Sequence, residues 1–321
     1  MKWCSGVLVV ASLVSLPVFA EVLPPAKAQS LLVRMVEAAR KLDYAGSYVY
    51  QRGGRIEAFQ LVHIEDAKGE AERRESLDGP PKLMLREGEN ITCYMPDAKY
   101  VNLDRHSVTK LFPALLPDDV GDLLKVYDVQ TQADERVAGI DAQVVLLTPK
   151  DGLRYPYRLW FDPASGLIVK ATLLAPNLES IVEQFSFTQL QVGGNISRKD
   201  LKPHLKDRDF KVYAAAEKRR NNAIKDFDIR GVPAGYRLVN VATRSMPSGE
   251  LTHVMFTDGL SAVSVFIEPL SREQKAVQGH SAQDATHMVA KAVGNFQITV
   301  MGEAPESTIQ QFAKGVVARG Q

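Results

Sequence analysis

The chain has 321 residues, of which 45% are hydrophobic and 24% are charged, and its formal net charge is +1. This composition is that of an ordinary globular protein, so disorder throughout the chain is excluded. A chain so close to neutral gives no support for nucleic-acid binding. The length is sufficient for two domains of ordinary size.

The first 20 residues have the pattern of an export signal. Lys2 supplies a positive charge, residues 7–16 form an apolar run, and small residues precede an expected cleavage site before Glu21. The apolar run is shorter than the roughly 20 residues that a bilayer-spanning helix needs. Loss of the signal removes Cys4, which leaves Cys93 as a single thiol and allows no internal disulfide. We therefore predict a secreted protein, neutral once Lys2 is removed, that does not span a membrane.

Residues 21–194 predict one large, strongly curved antiparallel sheet that follows a single helix. Apolar residues recur at helical spacing over residues 26–42. From residue 47 onward the period changes to two, and about ten short strands follow, with turn residues such as Gly53 and Gly54 between them. Residues 111–126 interrupt these strands with an apolar segment that contains prolines and a glycine, which predicts a short helical flap.

The rest of the chain predicts a linker and a smaller domain. Residues 195–230 are basic and lack a clean period, which is typical of a linker. Residues 231–321 contain five predicted strands and a closing helix with Pro305 in its first turn. We therefore predict an α+β protein in which a large N-terminal antiparallel sheet with helices precedes a smaller C-terminal antiparallel sheet with a helix.

The common catalytic motifs are absent from the sequence, which has no G-x-S-x-G, H-E-x-x-H or phosphate-binding loop. The six histidines are scattered without metal-ligand spacing, and His63 and His287 fall in predicted strands, where a hydrogen-bonded structural histidine is the more usual interpretation. Asp118, Asp119 and Asp122 suit a cation, but the start of a solvated helix explains them equally well. We therefore predict no enzyme activity, no cofactor and no metal.

Aromatic and apolar side chains are the informative features. Those on one face of the first two strands, together with the leucine-rich flap, can enclose an apolar cavity for an acyl chain, or they can form an ordinary core. The basic linker can dock an acidic peptide or anionic lipid headgroups, or it can be a solvated connector.

Several segments resemble the RseB/MucB family of sigma-factor regulators, and they occur in the order found in that family. They are YAGSYVYQRG (44–53), LVH (61–63), ERRESLDGP (72–80), CYMPD (93–97), TDGLSAVSVFIE (257–268) and TVMGEAP (299–305). The second domain departs from the family pattern Trp-x-Pro-x-Gly-Phe at its start, because Gly231 stands at the Trp position and Tyr236 at the Phe position.

The resemblance implies a periplasmic protein that binds the periplasmic region of a membrane-spanning, RseA/MucA-like anti-sigma factor. Binding would shield that factor from the proteolysis that frees an envelope-stress sigma factor, with a lipid or lipopolysaccharide as the releasing signal. The resemblance also implies that the large domain is a half-barrel similar to the lipoprotein carriers LolA and LolB, and it is compatible with a homo-oligomer. The alternative is a periplasmic lipid or lipoprotein carrier that uses the same cavity for transport.

Two sets of residues follow as candidates for these roles. The predicted lipid-cavity residues are Tyr48, Tyr50, Phe59, Leu61, Leu111, Phe112, Leu115 and Leu116. The predicted partner-binding residues are Arg73, Arg74, Lys218, Arg219, Arg220 and Phe256.

Overall fold

The computed structural model describes residues 21–319 except 89, 96–99, 105–111, 203–210, 214–217, 220–223, 247–248 and 272. The predicted export signal (1–20) and two of the candidate residues, Leu111 and Arg220, lie outside the described residues.

Twelve strands form the larger of two main sheets. They are β1 (Tyr44–Arg52), β2 (Arg55–Asp66), β3 (Gly69–Ser76), β4 (Leu83–Glu87), β5 (Asn90–Met95), β6 (Tyr100–Asp104), β7 (Tyr127–Val137), β8 (Ile140–Pro149), β9 (Tyr157–Phe161), β10 (Ile168–Leu174), β11 (Ile181–Val192) and β12 (Lys211–Tyr213). Their order is β12-β6-β5-β4-β3-β2-β1-β11-β10-β9-β8-β7. All neighbours are antiparallel except β12 and β6. Two meanders therefore join where β1 pairs with β11.

The first hairpin has the turn that the sequence predicts. Arg52 pairs with Arg55, so Gly53 and Gly54 form a two-residue loop, and Gly53 has a φ of +54°. Glycine is suited to this left-handed conformation because it has no Cβ.

Two helices pack against the large sheet. Helix α1 (Pro25–Lys41) confirms the helix predicted at 26–42, and it buries one face in the same hydrophobic cluster as the strands. Helix α2 (Val120–Val126) lies in the predicted flap, and the Asp119 side chain caps it by accepting from the backbone N–H of Gly121 at 2.8 Å. Asp118 pairs with Arg40, and Asp122 lies in the first turn of α2. These acidic residues therefore lie at the start of a helix, which agrees with the helix-start interpretation given above.

The smaller domain combines a seven-stranded sheet with one helix. Its strands are β13 (Lys218–Arg219), β15 (Arg237–Met246), β16 (Gly249–Thr257), β17 (Ala262–Pro269), β18 (Gly279–Gln283), β19 (Thr286–Val293) and β20 (Phe296–Gly302), in the order β13-β15-β16-β17-β20-β19-β18. Helix α3 (Glu306–Gly315) begins after Pro305 and buries Ile309 and Phe312 in the core of this domain. A separate pair is formed by β14 (Phe227–Ile229) and β21 (Val316–Ala318).

The predicted linker region, 195–230, contains local structure in its described parts. A 3₁₀ helix at Arg198–Leu201 comes first, and Arg198 pairs with Asp66 on the large domain. Strand β12 then extends one end of the large sheet, and β13 begins one end of the small sheet. Tyr213 therefore lies in the large sheet and Lys218 in the small sheet.

Candidate functional site

The structure brings the described residues of the predicted lipid cavity into one hydrophobic cluster. Tyr48, Leu61, Phe112 and Leu116 are buried in it, while Tyr50, Phe59 and Leu115 are partly buried against it. The ring centroid of Tyr48 lies 5.3 Å from that of Phe59 and 5.4 Å from that of Phe112. These rings pack against one another and form a core in this conformation. A ligand would therefore have to lie beside the rings and not between them.

Two aromatic residues of β11 complete this cluster, and the sequence interpretation missed them. The ring of Phe185 stacks on Phe112 at 5.4 Å and on Tyr50 at 4.6 Å, and Phe187 lies 4.9 Å from Phe112. Their alternation in the chain is the signal that could have identified them, because strand residues two apart share a face. The antiparallel pairing of β11 with β1 then places that face beside Tyr48 and Tyr50.

Arg74, a predicted partner-binding residue, lies inside the large domain. Its guanidinium pairs with Glu72 Oε1 at 2.7 Å and donates to the Tyr48 hydroxyl at 2.9 Å and to the Phe112 carbonyl at 2.8 Å. A buried charge requires such partners. Arg74 therefore connects the flap to the sheet, and a role in partner binding stays a prediction.

The other predicted partner residues are widely separated. Arg73 is also buried and pairs with Glu75 at 2.6 Å. Phe256 is buried in the small domain, with its ring 5.1 Å from that of Phe312. Lys218 and Arg219 form β13 at the edge of the small sheet. The structure does not bring these residues into one surface.

A cavity of about 400 Å³ lies between the two domains, beside the aromatic cluster. This volume falls in the range of small-molecule sites. Its apolar lining consists of Leu115, Tyr157, Ala171, Leu173 and Phe185 from the large domain and Met255, Leu260, Ala262 and Met301 from the small domain. Of the predicted cavity residues that the structure describes, only Leu115 lines this space. The sequence could not reveal the rest, because strand periodicity says nothing about how two domains face each other.

The turn between β16 and β17 packs against the large domain at one side of this cavity. Leu260 packs on the hydrophobic cluster of the large domain, and its carbonyl accepts from the Tyr157 hydroxyl at 3.4 Å. Gly259 has a φ of +105°, and a Cβ at this position would lie 3.0 Å from Cγ of Pro117 in the flap. Glycine is therefore needed here for both conformation and close approach.

A buried ion pair holds the same turn to the large domain. Arg154, in the β8–β9 connection, donates from Nε to Asp258 Oδ2 at 2.9 Å, and both side chains are fully buried. The guanidinium lies 4.9 Å from the centre of the Tyr236 ring, a cation–π geometry. The Tyr236 hydroxyl is 2.7 Å from Ser261 Oγ. The hydroxyl of Tyr236 thus adds a polar contact beside the ion pair.

A second group of charged residues links the domains on another side of the cavity. Arg52 of β1 donates to Glu303 Oε1 at 2.8 Å, and its Nε is 3.7 Å from Asp284 Oδ2. Glu183 lines the cavity nearby. Burial and, next, the negative charge of Glu303 raise the pKa of Glu183 to about 7, while Tyr50 and Arg52 oppose the rise. This carboxyl therefore titrates near neutral pH.

Outside the cavity, the side chains of His280, His287 and Glu306 meet on the small domain with possible ligand atoms within 4.8 Å of one another. The sequence interpretation found no such group, because a spacing of seven residues is not a metal-ligand spacing within one strand. Only the pairing of β18 with β19 reveals it.

Two unequal sheets that share an apolar cavity have the architecture of a two-domain binding protein. The model of the MucB/RseB N-terminal domain matches residues 27–205, and that of the MucB/RseB C-terminal domain matches residues 221–317. The chain belongs to the MucB/RseB family.

Relatives with curated names support the same assignment. The sigma factor AlgU regulatory protein MucB of Pseudomonas aeruginosa is 28% identical over 323 residues, which cover 98% of both chains. The sigma-E factor regulatory protein RseB of Escherichia coli is 24% identical over 301 residues, covering 89% of both. These relatives are named regulators of sigma factors.

Solved structures of MucB share the fold. The P. aeruginosa MucA/MucB complex matches with a TM-score of 0.75 and 26% identity, covering 92% of this chain and 100% of that one. MucB in complex with MucA(peri) gives a TM-score of 0.71 at 25% identity over the same shares. MucB alone gives 0.64 at 26% identity, covering 92% and 98%. The predicted family and the predicted α+β fold of one large and one small antiparallel sheet are therefore confirmed. In the described part of the chain, no helix has the length and apolar character needed to cross a membrane.

Proposed function

We propose that this protein binds the periplasmic region of a MucA-like anti-sigma factor and shields it from the protease that would release the sigma factor. The observation that carries the proposal is the likeness to MucB across both domains. TM-scores of 0.75 and 0.71 with MucB in its MucA complexes exceed the 0.64 with MucB alone. The likeness to MucB in structures that contain MucA supports the proposal.

The linker is the proposed docking surface for the anti-sigma segment, together with the small domain and the facing edge of the large sheet. Strands β12 and β13 are the terminal strands of their sheets. A terminal strand offers backbone N–H and C=O groups to an added peptide strand. The basic side chains of Lys218, Arg219 and Arg220 would add attraction for an acidic segment.

Release is proposed to follow when a lipid or lipopolysaccharide acyl chain enters the cavity between the domains. A ligand shifts the arrangement of the domains only if it binds one arrangement more tightly than another. An acyl chain can supply that difference, because burial contributes about 0.8 kcal/mol per CH₂ group. The cavity suits this role because both domains contribute apolar side chains to its wall.

The shielding proposal is tested by proteolysis of a MucA-like periplasmic segment with the purified mature chain (21–321). We expect the chain to slow cleavage by the protease that makes the first cut. The double variant Arg219→Glu, Arg220→Glu should weaken binding in a salt-dependent manner, while Arg219→Lys, Arg220→Lys should keep it. An unchanged cleavage rate with the wild-type chain would refute the proposed function, and unchanged affinity of the glutamate variant at low salt would remove the linker from it.

The release proposal is tested with Leu115→Asp, which places a carboxylate in the apolar wall of the cavity. We expect the lipopolysaccharide concentration for half-maximal release of the anti-sigma segment to rise about tenfold or more. An acyl chain in the cavity would remove water from the introduced carboxylate, and this desolvation weakens lipid binding. Leu77→Asp is the control, since Leu77 is exposed on the large domain. A wild-type response in the Leu115 variant would exclude the cavity as the lipid site.

A periplasmic lipid carrier is the second candidate function, and the apolar cavity is the observation that favours it. A carrier should move lipid between donor and acceptor vesicles at a rate that does not depend on an anti-sigma segment. Lipid transfer without any protection of that segment would select the carrier over the regulator.

A further inference from the structure

The small domain brings two imidazoles and one carboxylate together at a place that the proposed function does not use. In the β18–β19 pairing, His280 lies opposite Val289 and Ala282 lies opposite His287. His280 and His287 are therefore diagonal neighbours on one face of the hairpin, and such neighbours are close enough for long side chains to meet. The first residue of α3, Glu306, completes the group.

The distances within this group fit a transition-metal site. His280 Nε2 lies 3.1 Å from His287 Nδ1, and one possible ligand atom of each residue, that of Glu306 included, lies within 4.8 Å of the other two. Tetrahedral zinc with bonds of about 2.0–2.1 Å separates its ligand atoms by about 3.3 Å. The two ring nitrogens are thus already near the spacing that a shared zinc ion requires.

A neighbouring side chain holds Glu306 in place, and the two histidines stack on each other. Gln310, one helical turn after Glu306, donates from Nε2 to Glu306 Oε1 at 2.6 Å. The two imidazole rings are nearly parallel, with 13° between their planes. His280 and Glu306 are exposed and His287 is half-buried, so a metal ion can reach the group from solvent and keep a water ligand.

The group also lies between two contacts with the large domain. The hydroxyl of Thr286, next to His287, accepts a hydrogen bond from the Arg52 guanidinium. Ser307 and Thr308, which follow Glu306, donate to the carbonyls of Gly152 and Leu153 at 3.2 and 2.6 Å. An ion held by both the hairpin and the start of α3 would tie together the two segments that make these contacts.

We propose that His280, His287 and Glu306 form a binding site for a divalent transition metal of the zinc class, with water as the fourth ligand. Two histidines and one glutamate are a ligand set that zinc accepts when a fourth position stays open. Bound metal cross-links the β18–β19 hairpin to α3 and stabilises the small domain, because the unfolded chain does not hold this arrangement.

The test is titration of the tag-free mature chain (21–321) with ZnCl₂ by calorimetry, because a polyhistidine tag would itself bind zinc. We expect one zinc ion per chain and a Tm that rises with zinc and returns to its original value with a chelator. His280→Ala, His287→Ala and Glu306→Gln should each weaken binding about tenfold or more. Circular dichroism without metal establishes that each variant is folded.

Two matched controls separate this site from other donors. His253→Ala removes a histidine of the same sheet that stacks on Phe266, and Cys93→Ser removes the remaining thiol; neither should change zinc affinity. Co²⁺ should give the absorption of four-coordinate nitrogen and oxygen ligation without a thiolate charge-transfer band. Absence of stoichiometric binding, unchanged affinity in folded cluster variants, or equal loss in either control would overturn the proposal.

Discussion

Arg74 is a charged side chain that is buried because neighbouring residues pair with its guanidinium. Glu72 lies two residues before Arg74 in β3, so it shares the same face of the strand and supplies the opposite charge. The Phe112 carbonyl and the Tyr48 hydroxyl complete the coordination of the guanidinium. The result is a polar link between the sheet and the flap inside an otherwise apolar cluster.

Substitution Arg74→Met should therefore destabilise the large domain. Glu72 is 2% exposed and would be left as an uncompensated buried charge, which typically costs about 3–5 kcal/mol. The double variant Arg74→Met, Glu72→Met should recover part of this loss. Unfolding in urea gives the free energy of unfolding of the single and the double variant, and so measures both the loss and the recovery. Lys41→Met, which breaks the exposed Lys41–Glu37 pair, should cost under about 0.5 kcal/mol; an equally small effect at Arg74 would contradict the network.

Glu183 makes the stability of the protein depend on pH near neutrality. Burial and then Glu303 raise its pKa from 4.5 to about 7. Because the folded state holds this proton more tightly than the unfolded state, the contribution of Glu183 to stability is fully present below about pH 4.5 and is lost as the pH rises to about 7. The loss amounts to at most about 3 kcal/mol.

The variant Glu183→Gln should therefore gain stability over wild type at pH 8 and gain little at pH 5. Urea unfolding at the two pH values measures the difference. Glu179→Gln, an exposed residue in the preceding turn, should show the same small difference from wild type at both. If Glu183→Gln behaved like this control, Glu183 would be ionised at neutral pH in the folded protein.

At the scale of secondary structure, the elements with strong periodicity were predictable and the short or polar ones were not. Helix α1 and the β1–β2 hairpin follow directly from apolar spacing and the Gly53-Gly54 turn. Strand β18 was missed because its five residues are all exposed and carry no apolar alternation. The β14–β21 pair was missed because each strand has three residues and its partner is distant in sequence.

A substitution at Gly259 tests how closely the β16–β17 turn must approach the flap. Gly259→Ala should destabilise the protein by more than about 1 kcal/mol, since it strains a positive φ and places a Cβ against Pro117. Gly69→Ala is the matched control, with a φ of +92° and no atom within 4 Å of its Cβ. The excess loss at Gly259 in urea unfolding reports the contact with Pro117, and equal losses would argue against that contact.

At the scale of the whole molecule, the cavity exists because two separately formed cores face each other. Each sheet is encoded by its own alternation, and each has its own cluster of buried residues. In the described residues, the contacts that orient them include the β16–β17 turn with Leu260, the Arg154–Asp258 pair, the ion pairs of Arg52, and the hydrogen bonds from Ser307 and Thr308 to the β8–β9 connection. None of these has a periodic signature, which explains why the interdomain site was not predictable although both domains were.

The Arg154–Asp258 pair should control how firmly the domains are held together. Arg154→Met leaves Asp258 buried without its counter-charge, at a cost of about 3–5 kcal/mol, which separation of the domains can relieve by exposing Asp258 to water. We expect a larger radius of gyration in small-angle X-ray scattering and faster proteolysis between residues 195 and 230. The double variant Arg154→Met, Asp258→Leu should restore part of the compactness.

The control for this experiment is Arg230→Met, which removes an exposed ion pair with Asp228 inside the small domain and should leave the scattering unchanged. If Arg154→Met also scatters like wild type and is cut no faster, the ion pair does not hold the domains together. If instead Arg154→Met opens the molecule, the proposed docking surface, to which both domains contribute, predicts weaker protection of the anti-sigma segment in the same variant. Since Arg154 lies outside the linker, the loss of protection would come from the changed arrangement of the domains and not from a lost contact between the linker and the anti-sigma segment.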